Sequence, residues 1–276
     1  MVETVYHVNT PVSIALLGDL HNRPFGSVSA SLRSHRPDMI AIAGDIVYGS
    51  QPEGDTSPLE RQHNVLAFLS DCAKTAPSFL SLGNHEWMLD AKDLTKIRRT
   101  GVTLLDNNFQ CTEINGKKLV IGGLTSGYVL NYRRFRNELS KEDKSITMTS
   151  PPSRYPHKGS AGVLLPDTAW LSRFCEQDGF LILLTHHPEY WNSINHYPVN
   201  LFLSAHAHGG QWRYWSFRKR HWEGVYAPGQ GLFPRYTKGI YENMIVTAGL
   251  GNTTWIPRIL NPTEVVYITP PEGRHS

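Results

Sequence analysis

Short apolar runs, each ended by a glycine and a polar residue, pattern the first third of the chain. Residues 12–17 end at Gly18-Asp19, residues 39–43 at Gly44-Asp45, and residues 79–82 at Gly83-Asn84. Near-continuous apolar runs of this length predict strands buried on both faces. Between them, residues 27–34 and 59–73 carry helical periodicity, with Val65, Leu66, Leu69 and Cys72 near one face. Strand, helix, strand, helix, strand implies right-handed crossovers and a largely parallel sheet.

The second half is richer in strands. They are predicted at 118–124, 180–185, 200–205, 244–248 and 264–269, with a hairpin turn at Asn115-Gly116 and a helix over 168–176. Two sheets packed face to face with helices outside follow from this order. The expected fold class is α/β, a four-layer α/β/β/α sandwich of two mixed sheets flanked by helices. It is expected to occupy 1–276 as a single domain. A polar, proline-bearing stretch at 137–165 interrupts the pattern and reads as a lid or insertion loop.

Composition narrows the class. The chain has 276 residues, 40% hydrophobic and 18% charged, with a net charge of +3 spread along its length. That suits a globular protein and speaks against a dedicated nucleic-acid domain. Cys72, Cys111 and Cys175 are far apart and odd in number, which predicts a reducing compartment rather than a disulfide framework. Residues 1–10 lack a basic segment followed by an apolar one, and no apolar run approaches the roughly 18 residues that span a bilayer. The expected location is the cytoplasm, including the membrane periphery.

Chemistry gathers at the carboxyl ends of the predicted strands. In order stand Asp19-Leu20-His21, Gly44-Asp45, Gly83-Asn84-His85-Glu86, Thr185-His186-His187 and His206-Ala207-His208. Open α/β sheets place ligands at these ends. The set offers carboxylate, imidazole and amide donors without thiolate, which suits divalent Mn, Fe or Zn. At an extended strand end, Asp19 and His21 would project to one side and grip one ion. The two oxygens of Asp45 could bridge two cations. The glycines at 18, 44 and 83 would give sharp turns and room for ions. Any one motif also fits a turn or a buried polar residue; five in order do not. His187 is expected to point away as a packing residue, and Glu86 to support the Asn84-His85 turn.

These motifs resemble the calcineurin-like metallophosphoesterase superfamily over roughly residues 13–268. The resemblance implies that Asp19, His21, Asp45 and His208 bind one metal, and that Asp45, Asn84, His186 and His206 bind a second. His85 would be the catalytic acid beside the substrate phosphate, and Asn84 and His85 would touch the substrate. Two positions depart from the pattern: Tyr48 stands where an acidic residue is frequent, and Ala205 where glycine is usual. The tail, with Gly209-Gly210-Gln211, Gly239-Ile240-Tyr241, Gly249-Leu250-Gly251, Pro257-Arg258 and Pro262-x-Glu264, resembles the YkuE-like branch.

The implied activity is hydrolysis of a phosphodiester or pyrophosphate bond through a hydroxide bridging two divalent metal ions, Mn first and Fe or Zn as alternatives. The substrate would be small and phosphorylated or nucleotide-linked, with a membrane-surface substrate also compatible, and no obligate protein partner is evident. Alternatives are a phosphomonoesterase, a Ser/Thr protein phosphatase, and a non-catalytic scaffold on the same fold. The stretch 212–222 alternates aromatic and basic residues. It reads as a hairpin packing its aromatics on the sandwich, or as a rim for a base, a headgroup or an anionic membrane. Within it, Arg213 is a candidate for substrate binding.

Overall fold

The computed structural model describes residues 1–49, 58–142, 163–252 and 257–271, with the side chains of 135–142 left aside. Most of the 137–165 stretch lies outside the described residues. Its first six residues continue a helix rather than open a loop.

The described elements run β1 (Val2–His7), β2 (Ile14–Leu17), α1 (Gly26–His35), β3 (Met39–Ile42), α2 (His63–Thr75), β4 (Ser78–Ser81), α3 (Ala91–Arg98) and β5 (Thr103–Leu105). There follow β6 (Asn108–Ile114), β7 (Lys117–Leu124), α4 (Gly127–Glu142), α5 (Leu171–Cys175), β8 (Phe180–Thr185), α6 (Trp191–Ile194) and β9 (Leu201–Ser204). The chain continues with β10 (Arg213–Ser216), β11 (His221–Gly224), β12 (Tyr226–Ala227), β13 (Gly231–Leu232), β14 (Gly239–Tyr241), β15 (Met244–Val246) and β16 (Glu264–Thr269).

Two six-stranded mixed sheets form, in the orders β1-β16-β2-β3-β4-β5 and β14-β15-β9-β8-β7-β6. Strands β2 to β5 are parallel, as the crossovers require, while β16 runs antiparallel to β2. The pleat explains the unbroken apolar runs. Ile14 and Leu16 of β2 face the layer between the sheets, together with Ile182 and Leu184 of β8. Ala15 and Leu17 face the opposite way, into a core shared with Leu32 of α1 and Phe68 and Leu69 of α2. Leu181 and Leu183 of β8 face a third core with Phe174 of α5 and Ile194 of α6. Helices, sheet, sheet, helices: the four-layer sandwich is the observed architecture.

Several boundaries differ from the sequence expectation. The stretch 59–73 is a 3-10 turn at Pro58–Arg61 followed by α2, and the helix expected over 168–176 covers Leu171–Cys175 alone. Strand β1 lacks an apolar run because it is an edge strand pairing only with β16. The Asn115-Gly116 turn holds: both residues have positive φ, 52° and 73°, as a two-residue hairpin loop of the I′ type needs. Among the described residues no helix is long and apolar enough to cross a membrane.

Candidate metal centre

The five motifs leave adjacent parallel strands and meet at one edge of the sandwich. Asp19, Asp45 and the Asn84-His85 pair follow β2, β3 and β4 of one sheet; His186 and the His206/His208 pair follow β8 and β9 of the other. The two sheets are stitched there: His206 N–H donates to Asp19 Oδ2 at 3.1 Å, and His186 Nδ1 reaches Ala43 O at 2.7 Å.

The backbone is not extended at these strand ends. Asp19, His21, Asp45, His206 and His208 all lie in the left-handed region, with φ of 51°, 48°, 52°, 65° and 46°. Each such residue costs on the order of 1 kcal/mol or more, and such strain collects at functional sites. Asp19 and His21 do converge, with His21 Nε2 3.8 Å from Asp19 Oδ1, but through this curled backbone rather than by strand alternation. Of the three glycines, only Gly44 has positive φ, 82°. The other two allow close approach: a methyl on Gly18 would lie 2.6 Å from Ala205 Cβ, and one on Gly83 would overlap Asp45 Oδ1.

Glu86 explains the curl at Asp45. Its carboxylate is buried and accepts four backbone N–H groups: Gly83 at 2.7 Å, Asp45 at 2.9 Å, Ile46 at 2.8 Å and Val47 at 3.2 Å. Successive amides after a left-handed residue form an anion-binding concavity, and here the anion is a side chain. Burial, then Asp45, pushes the Glu86 pKa up to about 7. Its oxygens are filled by donors, so Glu86 is a brace between two loops.

Each aspartate then divides its labour. Asp45 Oδ1 accepts the N–H of His85 at 2.8 Å, and Oδ2 faces the site, 3.1 Å from His186 Nε2 and 4.0 Å from His21 Nε2. Asp19 gives Oδ2 to His206 N–H, while Oδ1 is buried without a hydrogen-bond partner. The sequence expectation gave both Asp45 oxygens to a bridge; a single oxygen faces both clusters.

Tautomers sharpen the picture. His186 Nδ1 donates to a carbonyl, so a neutral ring presents a lone pair at Nε2. That nitrogen lies 3.1 Å from Asn84 Oδ1, 3.0 Å from His206 Nδ1 and 3.1 Å from Asp45 Oδ2. Four electron-rich atoms so close repel one another unless a cation or proton sits among them. A second cluster joins Asp19, His21 and His208. His21 Nδ1 donates to Val47 O at 3.2 Å, which leaves its Nε2 as a buried atom without a partner. Donors spaced in this way match ligands around an ion with bonds of roughly 2.0–2.2 Å. The side chains present therefore fit two divalent cations.

Charge states follow burial. It holds His21 and His206 well below the usual histidine range and His208 down to about 3. Burial also opposes charge on His186, but Asp45 beside it prevails and raises it to about 10. Asp19 is pushed up to about 7, by burial first. Burial works against the Asp45 carboxylate too, yet the His186 ring beside it holds it well below the ordinary range.

His85 is placed differently. Its Nδ1 accepts Gly49 N–H at 2.8 Å, so the neutral ring carries its hydrogen on Nε2, 3.9 Å from Asp45 Oδ2. Burial lowers its pKa and keeps it neutral. It is a hydrogen-bond donor at the rim of the cluster. Tyr48, half exposed, is pinned next to Gly49 by buried Gln62, which bonds both its N–H (2.6 Å) and its carbonyl (2.8 Å).

The structure does not bring Arg213 into the cluster. Its guanidinium donates to Gly209 O at 3.0 Å and Trp222 O at 2.7 Å, bracing the turn after His208. The arginine that does reach the cluster is Arg258, with Nη2 3.0 Å from His208 Nδ1 and Nη1 donating to Ala248 O at 2.7 Å. In sequence it stood only as a tail motif. Glu189, which no motif flagged, lies 3.5 Å from His187 Nδ1 and 3.9 Å from His206 Nε2, with both carboxylate oxygens buried and unpartnered. His187 itself is buried beside His206, ring centroids 4.2 Å apart, and bonds Ser126 Oγ at 2.8 Å. The Gly249-Leu250-Gly251 tail motif also gains a reason, since a methyl on Gly251 would lie 2.8 Å from the carbonyl oxygens of Asp19 and Leu20.

The family model described as calcineurin-like phosphoesterase matches residues 12–210, which carry every residue of both donor clusters. The chain belongs to this family. Among the relatives of this chain is the metallophosphoesterase YkuE of Bacillus subtilis, 35% identical over 252 residues, covering 88% of this chain and 71% of the relative. A Caenorhabditis elegans protein named as a metallophosphoesterase is 27% identical over 277 residues, covering 94% of this chain. The chain spans 48% of that relative's length and 55% of a Campylobacter jejuni one. In fold it is similar to the sulfate thiohydrolase SoxB of Thermus thermophilus, with a TM-score of 0.52 at 11% identity, covering 96% of this chain and 58% of that one. The family is metal-dependent, and the buried His/Asp clusters of this chain could hold metal ions.

Proposed function

We propose that this phosphoesterase is a single-domain, two-metal hydrolase of phosphodiester or pyrophosphate bonds in small or nucleotide-linked substrates. The observation that carries the reading is His186 Nε2, met at 3.0–3.1 Å by Asn84, His206 and Asp45 atoms in a buried site. Asp45, Asn84, His186 and His206 would hold one ion; Asp19, His21, His208 and the same Asp45 Oδ2 would hold the other. Manganese suits this oxygen and imidazole set, with iron and zinc as alternatives. Two bound cations would supply an acidified water and positive charge for the phosphoryl oxygens.

The chain's own residues supply the rest. Asp45 is held by the His85 amide on one oxygen, which aims the other between the two ion positions. Neutral His85 offers Nε2–H as a hydrogen bond to the phosphoryl oxygens, a contribution of roughly 10²–10³-fold for a positioned donor. Gly49 fixes which ring nitrogen carries that hydrogen. Arg213 is committed to backbone carbonyls, while Arg258 bonds Ala248 O and Gly251 O and keeps a buried Nε–H without a partner.

The test is a substrate panel with added manganese: bis-p-nitrophenyl phosphate, p-nitrophenyl phosphate, cyclic nucleotides and UDP-sugars. Diester or pyrophosphate turnover above monoester turnover is expected. Monoester preference would overturn the bond assignment and leave the metal set standing.

A further inference from the structure

The stretch 212–222 does form a hairpin, β10 and β11, but its aromatics do not pack on the sandwich. Trp215 and Trp222 face each other across the strands, ring centroids 5.9 Å apart, and both remain exposed. At the tip Phe217 is 87% exposed, followed directly by Arg218, Lys219 and Arg220. Large apolar side chains are rarely left in water in such a group without a partner.

The exposed surface continues into the next small sheet. Val225 N–H bonds both Gly210 O and Trp212 O, and Phe233 N–H bonds Val225 O. Across β12 and β13, Tyr226 stands opposite Leu232. Leu232 and Phe233 are 69% and 70% exposed. Charge points one way. Residues 212–224 hold four basic residues against one acidic, and that acid, Glu223, is already bonded by Lys219 and by Tyr214 at 2.7 Å. Among the described residues Arg218 and Arg220 make no salt bridge.

We infer that the β10–β11 tip and the open end of the β12–β13 pair, Tyr226, Leu232 and Phe233, form a docking surface for an anionic lipid bilayer. Indole rings favour the bilayer interface, aliphatic and phenyl side chains enter the acyl boundary, and arginines meet anionic headgroups. A nucleic acid would use the aromatics and cations but offers nothing to Leu232 and Phe233. The hairpin is anchored beside the metal centre. It starts after the His206/His208 turn, Gly210 and Gly224 pack backbone against backbone, and Arg213 binds Gly209 O. Docking therefore brings the metal centre to phosphate esters at the bilayer surface.

Flotation of the full chain with vesicles tests this, comparing equal parts phosphatidylcholine and phosphatidylglycerol with phosphatidylcholine alone. Binding to the anionic vesicles alone is expected, weakening with salt. Each cation removed should weaken binding about fivefold, so Arg218→Gln with Arg220→Gln should lose roughly 30-fold. Phe217→Ser should weaken binding with hydrolysis of a soluble ester unchanged. No flotation, or flotation unchanged in these variants, overturns the inference. So does binding of a single-stranded oligonucleotide in place of vesicles, or a dimer abolished by Phe217→Ser without flotation. The vesicle readout needs no catalysis, so its failure is distinct from failure of the metal centre.

Discussion

The backbone N–H of Asp45 donates to Glu86 Oε2 at 2.9 Å, tying the aspartate between the two donor clusters to the loop that carries Asn84 and His85. Glu86 is therefore the hinge-pin of the site's backbone, although it offers no oxygen to a metal. Replacing Glu86 by Gln puts an amide group where four N–H donors converge. An expected loss of about 3 kcal/mol in unfolding free energy follows from buried bonds to a charged group. Metal content should fall with it. Urea unfolding and elemental analysis check both; unchanged metal binding would show that the loop holds its shape without the brace.

His85 should act without binding metal. In His85→Ala, turnover is expected to drop about 10²–10³-fold with metal content retained, as for loss of one positioned donor. Gly49→Ala makes the sharper case, because the added methyl would lie 2.6 Å from His85 Nδ1 and push the ring away. It should cost at least about tenfold in kcat, again with metal retained. Steady-state kinetics beside elemental analysis separates this from metal loss.

Protons and cations compete for the same atoms. Asp19 titrates at about 7 through burial, and His186 at about 10 because Asp45 outweighs burial. Both pKa values are raised, so the metal-free site binds more protons as pH falls and metal affinity falls with it. Of these two donors, His186 still holds its proton near pH 8, and near pH 6 Asp19 holds one as well. Calorimetry should show manganese affinity falling as pH drops from about 8 to about 6. Affinity that is flat or rises toward pH 6 would contradict the assignment.

Ala205 fills space that Gly18 leaves open. Gly18→Ala should cost about 1–3 kcal/mol, since its methyl would lie 2.6 Å from that of Ala205. Ala205→Gly in the same chain should recover much of it. The pair should be non-additive in a double-mutant cycle read by denaturant unfolding.

Most of the fold was legible because the central strands are buried on both faces, so β2, β3, β8 and β9 read as apolar runs. Helix α4 was not, since apart from buried Gly127 and Val129 its described residues are half-exposed or exposed and its pattern breaks into charge. Strand β1 pairs on one edge and alternates weakly. Of the site, the donor residues were legible as motifs, but the way they meet was not. Left-handed φ at Asp19 and His21 depends on contacts with Gly44 and Asp45 carbonyls, far along the chain. Glu189 and Arg258 come close only after the sheets pack, and no spacing rule connects position 189 to 206 or 258 to 208. Arg213 was a candidate for substrate binding as part of the aromatic and basic 212–222 stretch, whose sequence carries no sign of the carbonyls it meets.

The central claim is a pair of cations sharing one oxygen of Asp45. Anomalous diffraction from manganese-loaded crystals tests it most directly. Two peaks are predicted, one among Asp19, His21 and His208 and one among Asn84, His186 and His206, both bonded to Asp45 Oδ2. A single peak, or two peaks with no shared Asp45 oxygen, would contradict it.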